Sequence, residues 1–385
     1  MTYQLGQHTA IQSAMELVME TGFEGMGEAF QIIFNEAMKL ERSRHINALP
    51  YERCEERHGY ANGYKPKTVN SRIGKLALSI PQVRGSDFYP QSLERGLRSE
   101  RALKLALAEM YVGGVSTRKV AAITEELCGF EVSSSQVSQA SKILDETLNQ
   151  WRIRPLESFK YLYLDARYEK VRQGGCVIDC AVLIAMGIDP MGKRHILGVS
   201  TELSEQEVHW RAFLQQLVER GLHGVELIIS DAHAGLKAAK KAIFPSIPWQ
   251  RCQFHLQQNA QAHVPKQSLK AEVASALRGV FNAPNRTEAE RLLGLAISRY
   301  EKEAPKLTAW MADNVPESLT VFDFPEAHRR RLRTSNPLER INKEVKRRTR
   351  VATLFPNPAS CQRLVTAVLI EIHEEWQAGK IYLSI

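Results

Sequence analysis

Two short apolar runs that each end in an aspartate constrain this chain more than any other feature. KYLYLD closes on Asp165 and VELIISD on Asp231, 66 positions later. Apolar runs of this length, bounded by polar stretches, read as buried strands. Between them, CVIDCAVLIAMGID and HILGVST read as two more strands, and SEQEVHWRAFLQQLVERG as an amphipathic helix. In a chain of three strands, a helix and a fourth strand, a sheet can set the first and fourth strands side by side. Asp165 and Asp231 then emerge as neighbours at the carboxyl end of that sheet.

This order is that of an RNase H-like α/β core with a mixed sheet, and the rest of the chain reads as mostly helical. Residues 1–60 carry apolar positions at helical spacing, including Ala14, Leu17, Val18, Ile32, Ile33 and Met38. From Tyr60 the pattern turns Gly-, Pro- and Asn-rich, and Leu76, Leu78 and Ile80 alternate as in a short strand, so an inter-domain ribbon is expected. In the next segment Ser116 can cap a helix that stops at Cys128-Gly129, and Ser133 to Ser135 can cap a second. Two short helices joined through a glycine form the outline of a helix-turn-helix, with Ser135, Gln136, Ser138, Gln139 and Lys142 on the exposed face. Many helical hairpins share that outline without touching DNA. Residues 254–327 read as an all-helical insertion with a turn at Ala283-Pro284-Asn285. A helix from about Pro337 to Arg350, with Asn336 as its cap, and another from Asn357 to Trp376 close the chain.

Composition matters mainly through charge. The 385 residues carry a net charge of +8, and the segment His328 to Arg350 alone holds ten Lys/Arg against two Glu, a surplus equal to that of the whole chain. A local field of that sign attracts polyanions, nucleic acid above all; a solvated helix face or a patch against anionic membranes has the same composition. Neither a secretory signal nor a membrane-spanning run is legible, so a cytoplasmic, nucleoid-associated protein is expected. Six dispersed cysteines without a C-x-x-C pair read as reduced thiols. No G-x-x-x-x-G-K-[ST] or G-x-G-x-x-G loop follows any strand, which argues against a nucleotide-binding enzyme.

Cleavage of a phosphodiester calls for divalent ions held by carboxylate oxygens. Asp165 and Asp231 supply two such groups, although a strand-end acid often does no more than cap a loop. For a third, the basic segment offers Glu339 and Glu344, which at five residues' spacing point about 140° apart on a helix, so only one can serve. Glu339 has Lys343, Lys346 and Arg350 following on roughly its own face, and spacing alone equally allows an exposed ion pair with Lys343.

Several long motifs bring in a resemblance. YLDARYEKVR, GIDPMGKRHILGVS, VELIISDAHAGLKAA, WQRCQFHLQQN and RTSNPLERINKEVKRRTRVATLFPN resemble the Mutator-type bacterial insertion-sequence transposases, and HGYANGYKPKTV and GGVSTRKVAAITEELCG extend the likeness over nearly the whole chain. The ribbon departs from the family in carrying Ala61 where a basic residue is often found. The resemblance implies an RNase H-like catalytic domain whose Asp-Asp-Glu triad falls on Asp165, Asp231 and Glu339, with an all-helical insertion before the Glu. It also brings in Cys252 and His255, the family's C-x-x-H signature. No second Cys/His pair with zinc-finger spacing follows, so a functional role is assigned to His255 and not to a zinc.

The expected organisation is therefore a helical region over 1–60, a ribbon and helix-turn-helix-like DNA-binding region over 61–150, the first part of the core over 151–253, the insertion over 254–327, and the second part of the core over 328–385. The expected cofactor is Mg²⁺, two ions, with Mn²⁺ as substitute, bound by Asp165, Asp231 and Glu339. Double-stranded DNA is the expected partner, both the element's terminal inverted repeats and target DNA, with a homodimer on DNA and no membrane. Arg329, Arg330, Arg331, Lys343, Lys346, Arg347 and Arg348 are expected at backbone phosphates, and Gln136, Gln139 and Lys142 at the DNA from the helix-turn-helix. Two rivals predict different chemistry: a helix-turn-helix regulator binds without cutting, and an RNase H-like nuclease cuts without joining.

Overall fold

The computed structural model describes residues 2–96, 98–350 and 354–385. The chain divides into two compact units, Met1–Leu144 and Asp145–Ile385. In the first, α1 (Thr2–Thr21) and α2 (Met26–Ile46) precede a two-stranded antiparallel hairpin of β1 (Tyr60–Ser71) and β2 (Gly74–Arg84). The hairpin does not bridge two domains as a bare ribbon. Period-two alternation puts Leu76, Leu78 and Ile80 on one face, where they bury against Met38 of α2 together with Val69 and Leu93. Two polar side chains of α2 also serve the strand: Gln31 Oε1 and Asn35 Oδ1 accept from the Ala77 and Ser79 amides, both at 2.8 Å. An edge that would otherwise expose open donors is thereby covered.

Three helices complete this unit: α3 (Arg101–Val112), α4 (Thr117–Cys128) and α5 (Ser134–Ala140). Ser116 caps α4 by accepting from the Lys119 amide at 3.2 Å, and Gly129 ends the helix at φ +67°, a conformation that favours glycine. Ser133 opens α5 with a capping box closed by Gln136. The three helices share a core of Leu103, Leu107, Val120, Phe130, Val132 and Val137.

The second unit is mixed α/β. After α6 (Asp145–Ile153), β3 (Tyr161–Gln173), β4 (Cys176–Ile188) and β5 (Arg194–Glu202) form an antiparallel meander; α7 (Glu207–Glu219) then leads to β6 (Leu227–Ser230), α8 (Ala234–Ile243) and β7 (Trp249–Arg251). The sheet order is β5-β4-β3-β6-β7, with β6 parallel to β3 in the register Tyr161 to Leu227 and Tyr163 to Ile229. Strand alternation sorts the faces of β3. Leu162 and Leu164 join Trp210, Phe213, Leu214 and Leu217 of α7 in one core. Tyr161, Tyr163 and Asp165 lie on the opposite face.

Helices alone fill the chain from α9 (Gln253–Ala262) through α10 (Lys270–Phe281), α11 (Arg286–Tyr300), α12 (Pro305–Asn314) and α13 (Glu326–Leu332). Asn285 caps α11, accepting from the Glu288 amide at 2.9 Å. The basic helix is α14 (Asn336–Thr349), followed by α15 (Pro358–Ala378), which Asn357 caps. Ser335, not Asn336, holds the cap position of α14, and its hydroxyl does not cap: it donates to Cys252 Sγ at 3.3 Å. No helix among the described residues is long and apolar enough to cross a membrane.

Candidate active site

Extending the β3/β6 register by two residues on each strand sets Asp165 beside Asp231. Helix α14 supplies the third acid. Its buried stripe is Leu338, Ile341 and Val345, at the spacing of one helical face. That packing leaves Glu339, Asn342, Lys343 and Lys346 along one flank, and with Asp165, Arg167, Asp231 and His255 they line an open cleft of about 360 Å³.

The groups in the cleft come from β3, the end of β6, α9 and α14. Asp165 is 8% exposed, and accepts from the Ala166 amide at 2.9 Å and from Asn342 Nδ2 at 2.8 Å. Arg167 ties the two elements further, donating to the Asn342 carbonyl and pairing with Glu169 at 2.6 Å, while Thr349 Oγ1 donates to the same Glu169 at 3.0 Å. Asp231 Oδ1 accepts from the His233 amide at 3.4 Å. His255 Nε2 lies 3.9 Å from Glu339 Oε1, an oxygen that is buried and accepts no hydrogen bond among the described residues.

Cys252 joins the halves of the site across the helical insertion. Its amide donates to the Ser230 carbonyl at 2.7 Å, next to Asp231. Its sulfur accepts from the amide and the hydroxyl of Ser335, each at 3.3 Å, at the start of the Glu339 helix. Gln253 adds a bond to the Arg333 carbonyl at 2.9 Å. Burial pulls the thiol up, but the contacts of His255 and Ser335 together bring it below its usual value.

The electrostatics are those of crowded acids. Burial first, and then the neighbouring Asp231, push the Asp165 carboxyl up to about 7. His255 moves up to about 9, with adjacent Cys252 the largest cause and Asp165 and Asp231 contributing. Glu205 was not anticipated: it is a further carboxylate whose charge reaches Asp165, lies 3.8 Å from His233 Nδ1, and is held up by burial. No motif marks it, because it arrives from the loop before α7. Asn342 was equally unforeseen, although its spacing of three from Glu339 puts it on the same flank.

These carboxylates suit a hard cation. Their oxygens are the donor type that Mg²⁺ takes; Glu339 Oε1 accepts no hydrogen bond among the described residues, and Asp165 is raised by burial and by the neighbouring Asp231. Among the described residues, no three His, Cys, Asp or Glu side chains form a ready-made metal cluster.

The basic residues divide sharply. Lys343 and Lys346 line the cleft and make no ion pair among the described residues, and Arg330 is exposed. Arg329 instead donates to the carbonyls of Phe324, Pro284 and Phe322. Arg347 and Arg348 both pair with Glu344, and Arg348 also with Glu371. Those pairs hold Glu344 down at about 2 and engage it away from Glu339. In the N-terminal unit Gln136, engaged in its capping box, lines a cavity of about 660 Å³ together with Gln139, Lys142, Arg98 and Lys104.

Three carboxylates line one cleft at the mixed sheet, bordered by Lys343 and Lys346. The chain belongs to the Mutator family of transposases, whose family model matches residues 2–379. It is 58% identical to the transposase for insertion sequence element IS406 of Burkholderia multivorans over 97% of each chain. It is 43% identical to the transposase for ISRM5 of Rhizobium meliloti, over 97% of this chain and 94% of that one. Identity is 38% to the transposase for IS256 in transposon Tn4001 of Staphylococcus aureus, over 89% of each.

Proposed function

We propose that this protein is the transposase of an insertion sequence, a DNA-cutting and DNA-joining enzyme of the Asp-Asp-Glu type built on an RNase H-like core. The observation that supports the reading is the cleft itself, which Asp165, Asp231 and Glu339 line together with Lys343, Lys346 and His255. The sheet order, with the fourth strand parallel to the first, supports the core assignment.

Asp165, Asp231 and Glu339 are the residues that would hold Mg²⁺ or Mn²⁺. When bound, such ions supply Lewis acidity at the scissile phosphate and favour ionisation of the attacking water. Lys343 and Lys346 neutralise neighbouring phosphates and seat the strand. The His255 ring, beside Glu339, donates a hydrogen bond to a phosphoryl oxygen or the departing 3′ oxygen. In the first step water oxygen bonds to phosphorus, the 3′ P–O bond breaks, and the element end keeps a 3′ hydroxyl. In the second step that hydroxyl attacks a target phosphate, one phosphodiester replaces another, and no protein bond forms. The N-terminal unit, with its capped helical hairpin, reads the terminal inverted repeats, and joining two ends calls for a homodimer on DNA.

The test uses labelled duplex with the element's terminal repeats, a target plasmid, and Mg²⁺. Nicking plus a joined product, both lost in Asp231→Asn and Glu339→Gln while binding persists, is the expected result. Binding without nicking in wild type moves the reading to a regulator; nicking that never gives a joined product moves it to a nuclease.

A further inference from the structure

A second group of cations lies on the same side of the sheet, outside the acid cleft. Tyr382, in the segment after α15, is a plate between two guanidiniums: Arg194, at the start of β5, lies 4.6 Å over its ring, and Arg331 of α13 also 4.6 Å over it. Arg194 is stacked in addition over Trp376 at 4.1 Å. Arg340 of α14 is close enough for its charge to act on both Arg194 and Tyr382.

The plate is fixed in place by the chain that carries it. The Tyr382 and Leu383 amides donate to the Gly192 carbonyl at 2.9 and 3.1 Å. Gly192 has φ +77°, and a Cβ there would meet the Leu383 carbonyl oxygen at 1.7 Å. Lys193 Nζ donates to the Gln377 carbonyl at 2.8 Å, and His328 Nε2 lies 2.7 Å from the Ser384 carbonyl.

None of the three arginines makes an ion pair among the described residues. Burial, opposed by Tyr382 and aided by Arg340 and Arg331, holds the Arg194 guanidinium below its usual value, with Glu375 acting weakly the other way. Gathering like charges around one ring opposes folding and leaves them without a paired carboxylate among the described residues. An anion repairs both defects, and planar guanidiniums match a phosphodiester's paired oxygens.

Position identifies which anion. Arg340 directly follows Glu339 in sequence, and Tyr163, two residues before Asp165 in β3, donates its hydroxyl to the Arg331 carbonyl at 3.1 Å. At a strand rise of about 3.3 Å per residue, Tyr163 and Asp165 are about 7 Å apart.

We propose that Arg194 and Arg331 on the Tyr382 ring, with Arg340 of the Glu339 helix, form a phosphate-binding site that grips the DNA backbone beside the acid cleft. The inference rests on the reading of that cleft as the DNA-cutting site. It extends the reading with a second grip on DNA, outside the cleft that Lys343 and Lys346 line.

The experiment measures binding of the full chain to two synthetic duplexes in EDTA, one carrying a terminal repeat with its flank and one of unrelated sequence, as a function of salt. Arg340→Gln is the principal variant because its side chain is exposed; the Arg194→Gln/Arg340→Gln pair extends it and Arg340→Lys preserves the charge. Each lost phosphate contact lowers the slope of log K against log salt by about 0.9, so the double variant loses about 1.8 while Arg340→Lys retains the wild-type slope. A loss confined to the repeat duplex places the element end or its flank at the site, and a loss on the unrelated duplex places target DNA there. Unchanged slopes on both duplexes, in variants that melt like wild type, overturn the proposal. Because no cutting is needed, a wild type that fails to nick in Mg²⁺ refutes the parent reading separately.

Discussion

Replacing Cys252 with alanine removes the acceptor that fastens the Glu339 helix to the strand leading to Asp231. Ser335 then loses a partner for both its amide and its hydroxyl, each now 3.3 Å from the sulfur in a buried setting. An unsatisfied buried donor costs about 1–3 kcal/mol, and sulfur is a weak acceptor, so the low end applies: about 2 kcal/mol for the two together. For a unit the size of Asp145–Ile385 that lowers Tm by about 4–8 °C. The catalytic effect should exceed the stability effect, because Glu339 sits one helical turn beyond Ser335, and a displacement near 1 Å costs about 100-fold in rate. Cys252→Ser keeps an acceptor and should fall between the alanine variant and wild type in both Tm and nicking rate. The assays are thermal melting and single-turnover nicking of a terminal-repeat duplex. An alanine variant that melts and nicks like wild type refutes the reasoning; one that melts lower but nicks normally shows that the sulfur braces the fold without positioning the acid.

Other expectations follow from separate contacts. Asn342→Leu removes the amide that donates to Asp165 Oδ2 at 2.8 Å, and at about 1.5–3 kcal/mol for a bond to a charged group it should cut the nicking rate about tenfold or more, read by single-turnover kinetics. His373 is held down at about 4 by burial and by Arg154 and His195, and its Nδ1 accepts from the Ile196 amide at 3.2 Å, which requires the unprotonated ring. Its folded pKa lies below its usual value of 6.5, so the stability it protects is full above pH 6.5 and lost as pH falls towards 4. His373→Gln should flatten that part of a Tm-against-pH curve, and an unaltered curve contradicts the assignment. Gly192→Ala forces a side chain into φ +77° and against the Leu383 carbonyl, at a backbone cost of about 1–3 kcal/mol, and should expose the C-terminal segment to limited proteolysis.

Much of the scaffold was legible because its signals are local. The alternating Leu76, Leu78 and Ile80, the caps at Ser116 and Ser133, the stop at Gly129 and the strand runs ending at Asp165 and Asp231 each depend on a few adjacent residues. The pairing of the first and fourth strands was legible from their order. What escaped is what the tertiary fold decides. Arg329 looked like a phosphate ligand, yet three backbone carbonyls engage it. Ser335 gives its hydroxyl to a sulfur 83 positions away, a contact no helix-start rule contains. Arg194 belonged to no charge run, and gains its place beside Arg331 and Arg340 only when the C-terminal segment folds over the turn at Gly192.

Metal-ion specificity tests the central claim most directly. Asp231→Cys should bind the terminal-repeat duplex, fail to nick it in Mg²⁺, and recover measurable nicking in Mn²⁺, because a thiolate accepts the softer ion and rejects the harder one. Wild-type protein should nick in both. Nicking by Asp231→Cys in Mg²⁺ at the wild-type rate would contradict the account, since Asp231 would then hold no cation and the three acids would not be the site of cutting.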